Sequence, residues 1–497
     1  KEQAGRFERK IDELKEQLDA LLQRLYGRRS ERFVDPDQRD LFEEYLTLGE
    51  NSEVESAPEE LEKVEYKRRK PKKRGPKPLP EHLPRIEERI DPPASERVCA
   101  CCSKDMECVE EIVTEELDVV PPQFRVKQLI QGKWRCRECM NRDLVEPLPA
   151  RAIERGRPSP SLLAYIVVSK YADHVPVYRQ EQIFKRSEIQ LVRSTMDGWL
   201  GALSALLLPI VTAMKRALLL EKFLQSDDTR IQVQDRSLKG KTRRCYIWAY
   251  CRPDAEIVYH FTETRSAKGP LEFLDGFSGH LQSDGFSGYK PLWRTGRVRH
   301  IACLAHIRRK FFEARKSSPE KVDVILGKIR RAYDIEEPAR KSLAPEELLK
   351  VRRTQVRPIL DETLVLIREL GVEVLPKSKL GLAVGYALDE WPALLRYLEV
   401  SEARLDNNSC ENAVRPVVLG RKNFLFLGNA ESGGERAEVF FSLVQSCRRL
   451  GIEPFSYLSD VIQRVSTHPA SRIDELTPRG WREARDEAEN LNARPVV

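Results

Sequence analysis

No stretch of this 497-residue sequence is apolar for long enough to cross a bilayer. The longest such run, WLGALSALLLPIVTAM at residues 199–214, contains Pro209 and is followed at once by Lys215 and Arg216, which favours a buried helix. No secretory signal is visible in the sequence. Charge of one sign is nearly balanced: 85 Lys and Arg against 78 Asp and Glu leave +7, so any polyanion-binding surface must come from local clusters. Cysteine is sparse and odd in number, 11 in all, with two Cys-x-x-Cys pairs. That pattern suits a reducing cytoplasm and metal binding rather than a disulfide scaffold. The chain starts at Lys1 without an initiator methionine, which suggests a natural N-terminus further upstream. What is present is length and core: hydrophobic residues make up 41% of the chain, enough for a soluble protein of several domains and no membrane partner.

Residues 1–50 carry Phe7, Ile11, Leu14, Leu18, Leu21 and Leu25 at alternating spacings of four and three, the seam of a short coiled coil and a device for self-association. Residues 51–90 form a linker that culminates in KRRKPKKRGPKP, where eight of twelve residues are Lys or Arg. Such a run builds no core but neutralises phosphates, with an affinity that falls as salt rises. In residues 91–150, Cys99 and Cys102 pair with Cys136 and Cys139 across a strand-like stretch, FRVKQLIQGKW. Four thiolates in two knuckles predict a tetrahedral Zn2+ site in a ribbon-like module, with Cys101 and Cys108 as alternative ligands.

Residues 151–215 read as three helices, SPSLLAYIVVSKYADH, VPVYRQEQIFKR and VRSTMDGWLGAL, with Pro176 opening the second and Ser194 capping the third. As a helix-turn-helix, this region would place Arg193, Ser194 and Thr195 at the start of a recognition helix in the major groove. A purely structural three-helix bundle fits the same pattern.

Strand texture follows in residues 216–316. FLQSDDTRIQV, RCYIWAYCR and EIVYHFT read as an antiparallel meander, followed by a helix near 267–276, a strand ending at Asp284 and Gly285, and a strand running into the basic helix of CLAHIRRKFFEA. Three strands, then helix, strand, helix, strand and helix, is the order of a ribonuclease-H-like core, a mixed sheet flanked by helices. Residues 317–400 have only helical periodicity and read as an all-helical insertion. The core resumes in 401–447, and 448–497 reads as a helical tail. The fold class is therefore α/β and multidomain.

Three acids stand out: Asp227 on the first of these strands, Asp284 at the end of the fourth, and Glu411 in DNNSCENAVRP. Asp406 or Asn407 would cap the helix that carries Glu411, and Pro416 would bend or end it. Two Asp and one Glu suit Mg2+ (or Mn2+), which prefers oxygen ligands, and paired divalent ions activate an attacking oxygen and stabilise a leaving one in phosphodiester chemistry. Asp228 and Asp406 are rivals that spacing alone does not remove. Arg308, Arg309 and Lys310, with Arg415, Arg421 and Lys422, are candidate contacts to a DNA backbone, or else one solvated helix face.

These segments carry a resemblance. With LYGRRSERF, the paired knuckles, SKYADHVPVYRQEQIF, SDDTRIQV, LQSDGFSGY, CLAHIRRKFFEA, DNNSCENAVRPVVLGRKNFLF and HPASRIDELTP, the chain resembles the IS66 insertion-sequence transposases, a bacterial group of DDE transposases. The resemblance implies metal-dependent strand cleavage and strand transfer at the ends of a mobile element, with Asp227, Asp284 and Glu411 as the acid triad. It also implies DNA as partner, a homodimer or larger assembly, small accessory proteins encoded by the same element, and a cytoplasmic, nucleoid-associated location. The first knuckle departs from the family pattern, with Ala100, Cys101 and SKDMEC in place of a Pro- and Gly-rich turn. Two other functions compete: a DNA-binding protein that has lost catalysis, and a nuclease that hydrolyses strands without joining them.

Overall fold

Strand-forming residues dictate the centre of the molecule. The computed structural model describes Cys101 and residues 123–135, 143–153, 156, 158–235, 242–315, 318–424, 426–428 and 432–492, with side chains described as far as 487 apart from those of residues 135 and 143. The chain divides into two units; of Ala20–Leu129 only Cys101 and residues 123–129 are described, and these form no helix or strand. The leucine repeat, the basic run and Cys99, Cys102, Cys136 and Cys139 lie outside the described residues. Strand structure expected across FRVKQLIQGKW is confined to its end, where β1 (Lys133–Arg135) pairs antiparallel with β2 (Asp143–Val145) on either side of the second Cys-x-x-Cys.

Helices α1 (Pro160–Tyr171), α2 (Val177–Arg186) and α3 (Arg193–Leu219) follow. Ser159 caps α1 through Leu162 N. The third helix is longer than the sequence suggests, because the apolar run 199–214 continues it through Pro209. Its N-cap is Val192, with no side-chain cap, so Ser194 lies inside the first turn. Residues 199–214 alone are too short to cross a bilayer, but the whole of α3 passes that test of length and composition, the one helix to do so among the described residues; its buried residues, such as Leu200, Leu203, Leu207 and Ile210, pack into the fold.

Five strands form the main sheet: β3 (Phe223–Gln234), β4 (Thr242–Cys251), β5 (Ile257–Thr262), β6 (Gly279–Ser283) and β7 (Val298–Ala302), in the order β5-β4-β3-β6-β7. β3, β4 and β5 are antiparallel neighbours, whereas β3, β6 and β7 run parallel. Parallel pairing needs crossovers, supplied by α4 (Lys268–Phe273) before β6 and α5 (Lys290–Arg294) before β7. From α6 (Leu304–Ala314) onward the regular structure is helical: α7 (Pro319–Ser342), α8 (Pro345–Val351), a wide π turn over Arg352–Val356, α9 (Arg357–Glu373), α10 (Lys379–Leu394), α11 (Asn408–Asn423), α12 (Gly433–Arg449), α13 (Pro454–Arg464) and α14 (Pro478–Asn492). Pro416 does not end α11, which runs seven residues beyond it.

β5 is an edge strand, and α12 covers it through side chains one helical turn apart. Ser446 Oγ accepts from Ile257 N (3.0 Å) and donates to Ile257 O (3.0 Å), Ser442 Oγ accepts from Tyr259 N (2.9 Å), and Glu438 accepts from Phe261 N (3.0 Å). The match is geometric. Four helical residues rise about 6 Å and two strand residues about 6.8 Å, so every second strand amide meets the next helical turn. Gly434 makes the approach possible, since a Cβ there would lie 2.3 Å from the Phe261 ring.

The helical segment after β7 has a charged centre. Arg352 is fully buried, and its guanidinium uses all five donors: Nε and Nη2 on Glu336, Nη1 on Tyr397 O (3.0 Å) and Val400 O (2.7 Å), and Nη2 on Ala403 O (2.7 Å). Residues 397–403 lead directly to Asp406 and Glu411, so this clamp fixes the approach to α11. Arg352→Met strands Glu336 in the core and should cost about 3–5 kcal/mol. Adding Glu336→Leu should recover part of that loss in urea unfolding of the full chain; single and double variants as stable as the wild type would remove the clamp from the fold's energetics.

Candidate active site

The acids come from three elements that the sheet and its cross-bonds draw together. β3 and β6 pair in parallel from Phe223 opposite His280 to Gln225 opposite Gln282, and two residues beyond that last pair stand Asp227 and Asp284. Asp227 still pairs with Ala249 of β4 on its other side. Asp284 leaves the strand in a turn in which its Oδ1 accepts from Phe286 N (3.2 Å). Glu411 lies in the first turn of α11, where its own amide bonds Asn407 O.

Buried amides tie the third element to the first two. Gln225 Nε2 donates to Gln282 Oε1 (2.9 Å) and to Asp406 O (3.1 Å), Gln282 Nε2 to Arg404 O (2.6 Å), and Asn407 Nδ2 to Ser226 O (2.8 Å). Leu304 N also donates to Leu405 O (2.8 Å). All three amide side chains are fully buried. These bonds tie the segment 404–407 to β3 beside Asp227 and to the end of β6.

The resulting electrostatics are unfavourable for an empty cluster. Burial pushes the Asp227 carboxyl well above the usual carboxylate range, and the neighbouring charges of Glu411, Asp228 and Asp284 push it further. Asp228 is also raised by burial, although Arg265 opposes this with a two-pronged contact (2.7–3.0 Å). The same guanidinium lies 3.4 Å from Asp284. Of the rivals, Asp228 is thus engaged by Arg265. Asp406 acts as a turn residue, its Oδ1 accepting from Asn408 N (3.0 Å) while Asn407 occupies the N-cap.

The predicted basic residues separate. Arg309 and Lys310 are exposed; Arg309 lies 3.4 Å from Glu411, and Lys310 stands 4.6 Å from the centre of the Tyr386 ring. Arg308 is buried on the inner stripe of α6 with Ile307 and Phe311, so it is not on the exposed basic face expected of it. Arg415 is half-buried, Arg421 donates to Arg230 O (2.7 Å), and Lys422 is exposed. Arg193, Ser194 and Thr195 are exposed at the start of α3.

Sequence reasoning missed several neighbours. Arg265 stands in a loop with no motif of its own. Glu390 of α10 lies close enough to Asp284 for that charge to add to burial in raising its carboxyl, and Tyr386, one turn earlier, accepts from Gly285 N (3.3 Å). Cys303 and His306 flank Glu411 from the β7–α6 junction, Cys303 Sγ at 4.0 Å and His306 Nδ1 at 3.6 Å. The signal for these two was available in CLAHIRRKFFEA, three residues apart across a helix start.

Hard oxygen donors whose negative charges add to burial in raising the Asp227 carboxyl fit a divalent cation, because a cation offsets that repulsion. Asp227, Asp284 and Glu411 would hold it.

Comparisons with known proteins bear on the whole chain. Residues 155–435 match the family model described as Transposase IS66 family. Residues 13–87 match one described as transposase C of IS166 homeodomain, 96–140 the zinc-finger binding domain of transposase IS66, and 442–479 the IS66 C-terminal element. Uncharacterized protein y4jD of Sinorhizobium fredii is 32% identical over 498 residues, covering 95% of each chain. Uncharacterized protein y4qI of the same organism is 34% identical over 486 residues, covering 93% of this chain and 87% of its own.

The Asp227 environment has a pH signature. An ordinary Asp titrates at about 3.9; between that value and the higher folded pKa the native state binds more protons than the unfolded chain. The contribution to stability is complete below about pH 4 and is lost as pH rises through the folded pKa. Asp227→Asn should therefore raise the melting temperature of the metal-free chain at pH 7, by about 2–4 °C per kcal/mol relieved. The gain should shrink towards pH 4 and on adding Mg2+, and a gain independent of both would point to another cause.

Proposed function

The chain belongs to the IS66 family of transposases, and from that membership and the acid cluster we propose that it is the DDE transposase of an insertion sequence. Family membership carries insertion-sequence transposition and DNA binding. Our reading adds that the chain binds the element's ends and that Asp227, Asp284 and Glu411 are the catalytic triad of a ribonuclease-H-like core. The single observation that carries it is geometric: the parallel register of β3 and β6 and the buried amide bonds to residues 404–407 bring Asp227, Asp284 and Glu411 together from distant parts of the sequence, close enough for the charges of Glu411 and Asp284 to add to burial in raising the Asp227 carboxyl. The sheet order β5-β4-β3-β6-β7, with three antiparallel strands followed by two parallel ones, supports the core assignment.

Bound divalent ions supply Lewis-acid stabilisation of phosphoryl oxygens and lower the pKa of a bound water or hydroxyl. The protein's residues supply the rest. Asp227 offers oxygens from within β3 and Asp284 from just past the end of β6, and Glu411 offers a third from a helix held to those strands by Asn407 and the two glutamines. Arg309 and Lys310 present positive charge to a phosphate backbone beside Glu411. Arg265 holds Asp228 and faces Asp284, so it sets the orientation of one acid and tempers the charge of the other.

In the proposed first step a water oxygen bonds to phosphorus at the element's end, the bond from phosphorus to the 3′ oxygen breaks, and that oxygen departs as a free 3′-hydroxyl. In the second, the 3′-hydroxyl oxygen bonds to a target phosphorus and displaces the target's own 3′ oxygen, which takes the proton. One phosphoester bond forms as one breaks, so joining needs no external energy source. The match of residues 96–140 to a zinc-finger model supports Zn2+ at Cys99, Cys102, Cys136 and Cys139. Arg193, Ser194 and Thr195, with Arg415, Arg421 and Lys422, remain proposed DNA contacts, and synapsis of two ends calls for at least a dimer.

The test is strand transfer with Mg2+ on DNA carrying the parent element's ends, alongside a gel-shift measurement of binding. Wild-type protein should give joined products, which should fall to background in Asp227→Asn and Glu411→Gln while binding persists. Nicked but never joined DNA would support a simple nuclease instead, and variants as active as wild type would remove the triad.

A further inference from the structure

Among the described residues, one group of three metal-ligating side chains has all its ligand atoms within 4.8 Å of one another, and it is not the acid triad: it is Cys303, His306 and Glu411. Cys303 is the N-cap residue of α6 and His306 lies in its first turn, so a short Cys-x-x-His spacing aims both at the same point. Glu411 reaches that point from α11. The distances are 4.0 Å from Cys303 Sγ to Glu411 Oε1 and 3.6 Å from His306 Nδ1 to the same oxygen.

These contacts are poor hydrogen bonds and good ligand separations. A ring nitrogen 3.6 Å from a carboxylate oxygen is too far for a hydrogen bond, and His306 Nδ1 is buried without a hydrogen-bond partner. Zinc bonds of about 2.3 Å to sulfur and 2.0–2.2 Å to nitrogen or oxygen, at tetrahedral angles, put ligand atoms about 3.3–3.6 Å apart. The observed spacing is within a few tenths of an ångström of that. Cys303 Sγ is buried and accepts from Asn407 N (3.2 Å), which holds the sulfur at the helix start beside Glu411. The donor set also sorts the cation: a thiolate and an imidazole favour zinc over magnesium, whereas Asp227 and Asp284 offer oxygen alone.

We propose that Cys303, His306 and Glu411 bind one zinc-class ion, with an open fourth position, and that this ion fixes the Glu411 carboxylate at the β7–α6 junction. The site is separate in sequence and chemistry from the four-cysteine knuckles. Its consequence for catalysis rests on the reading of Glu411 as the third acid; its existence does not. An ion on Oε1 leaves Oε2, which faces Arg309, as the oxygen available to the acid cluster.

The test is a metal count on the full chain. Wild type, Cys303→Ser, His306→Gln and Glu411→Gln are equilibrated with Zn2+ in excess Mg2+, freed of unbound metal, and assayed for zinc per chain. Each variant should hold about one ion fewer than wild type, and Co2+ in place of Zn2+ should show a weaker thiolate-to-cobalt charge-transfer band in Cys303→Ser. Equal counts across the four proteins overturn the proposal, as does a deficit in Cys303→Ser alone, which marks a lone thiol. Melting in chelator checks that each variant folds, and His306→Gln, whose ring is half-buried, carries the test if Cys303→Ser does not. The two readings fail separately. Unchanged zinc alongside lost joining in Asp227→Asn sinks this site alone, whereas a zinc deficit with normal joining in Asp227→Asn sinks the triad alone.

Discussion

Everything at the candidate site depends on a few buried amide hydrogen bonds where the start of β3 lies beside the end of β6. Gln225 and Gln282 face each other across the parallel pair and extend their remaining donors to the backbone of residues 404 and 406, while Asn407 reaches back to Ser226. Buried polar groups of this kind are costly when unpaired and specific when paired. Here they convert two neighbouring strands and a distant helix start into one rigid frame. An apolar residue at any of these positions would fill space but would not say which backbone segment belongs beside the strand ends.

That rigidity is needed because the frame holds like charges together. Asp227 is pushed towards its protonated form by burial and by three neighbouring acids, and Asp228 would follow it without Arg265. A flexible site would relax by letting the carboxylates drift into solvent. The Arg352 clamp opposes such drift at the far end, since residues 397–403 are held by a guanidinium with no donor to spare. The helices between β7 and α11 are therefore not a passive insert: they carry Arg352, Tyr386 and Glu390, and each of these touches the approach to an acid or lies beside one.

How much of this could be read in the sequence depends on the range of the interaction. Alternation and β-branched or aromatic content mark β3, β4 and β5 to within about two residues, because a strand's faces are written in neighbouring side chains. The helix carrying Glu411 was legible for the same local reason. Its length was not, because Pro416 reads as a bend or an end, yet α11 runs on to Asn423. Arg308 reads as one of three exposed cations, yet it falls on the inner stripe with Ile307 and Phe311, a matter of which way α6 is rotated. The bonds from Ser442, Ser446 and Glu438 to the edge of β5, and from Arg352 to Glu336, join positions with no shared motif, so nothing local announces them.

Glu411 is where the two candidate sites meet. One of its oxygens lies near Cys303 and His306 and the other near Arg309, while its charge is felt at Asp227. A carboxylate shared between an oxygen-only site and a sulfur- and nitrogen-bearing one cannot serve both without constraint, because an ion on either side withdraws charge from the other and fixes the rotamer available to it. An ion held at the sulfur- and nitrogen-bearing site would orient Glu411 before DNA arrives, so that the oxygen-only site would need to organise only the two aspartates on adjoining strands.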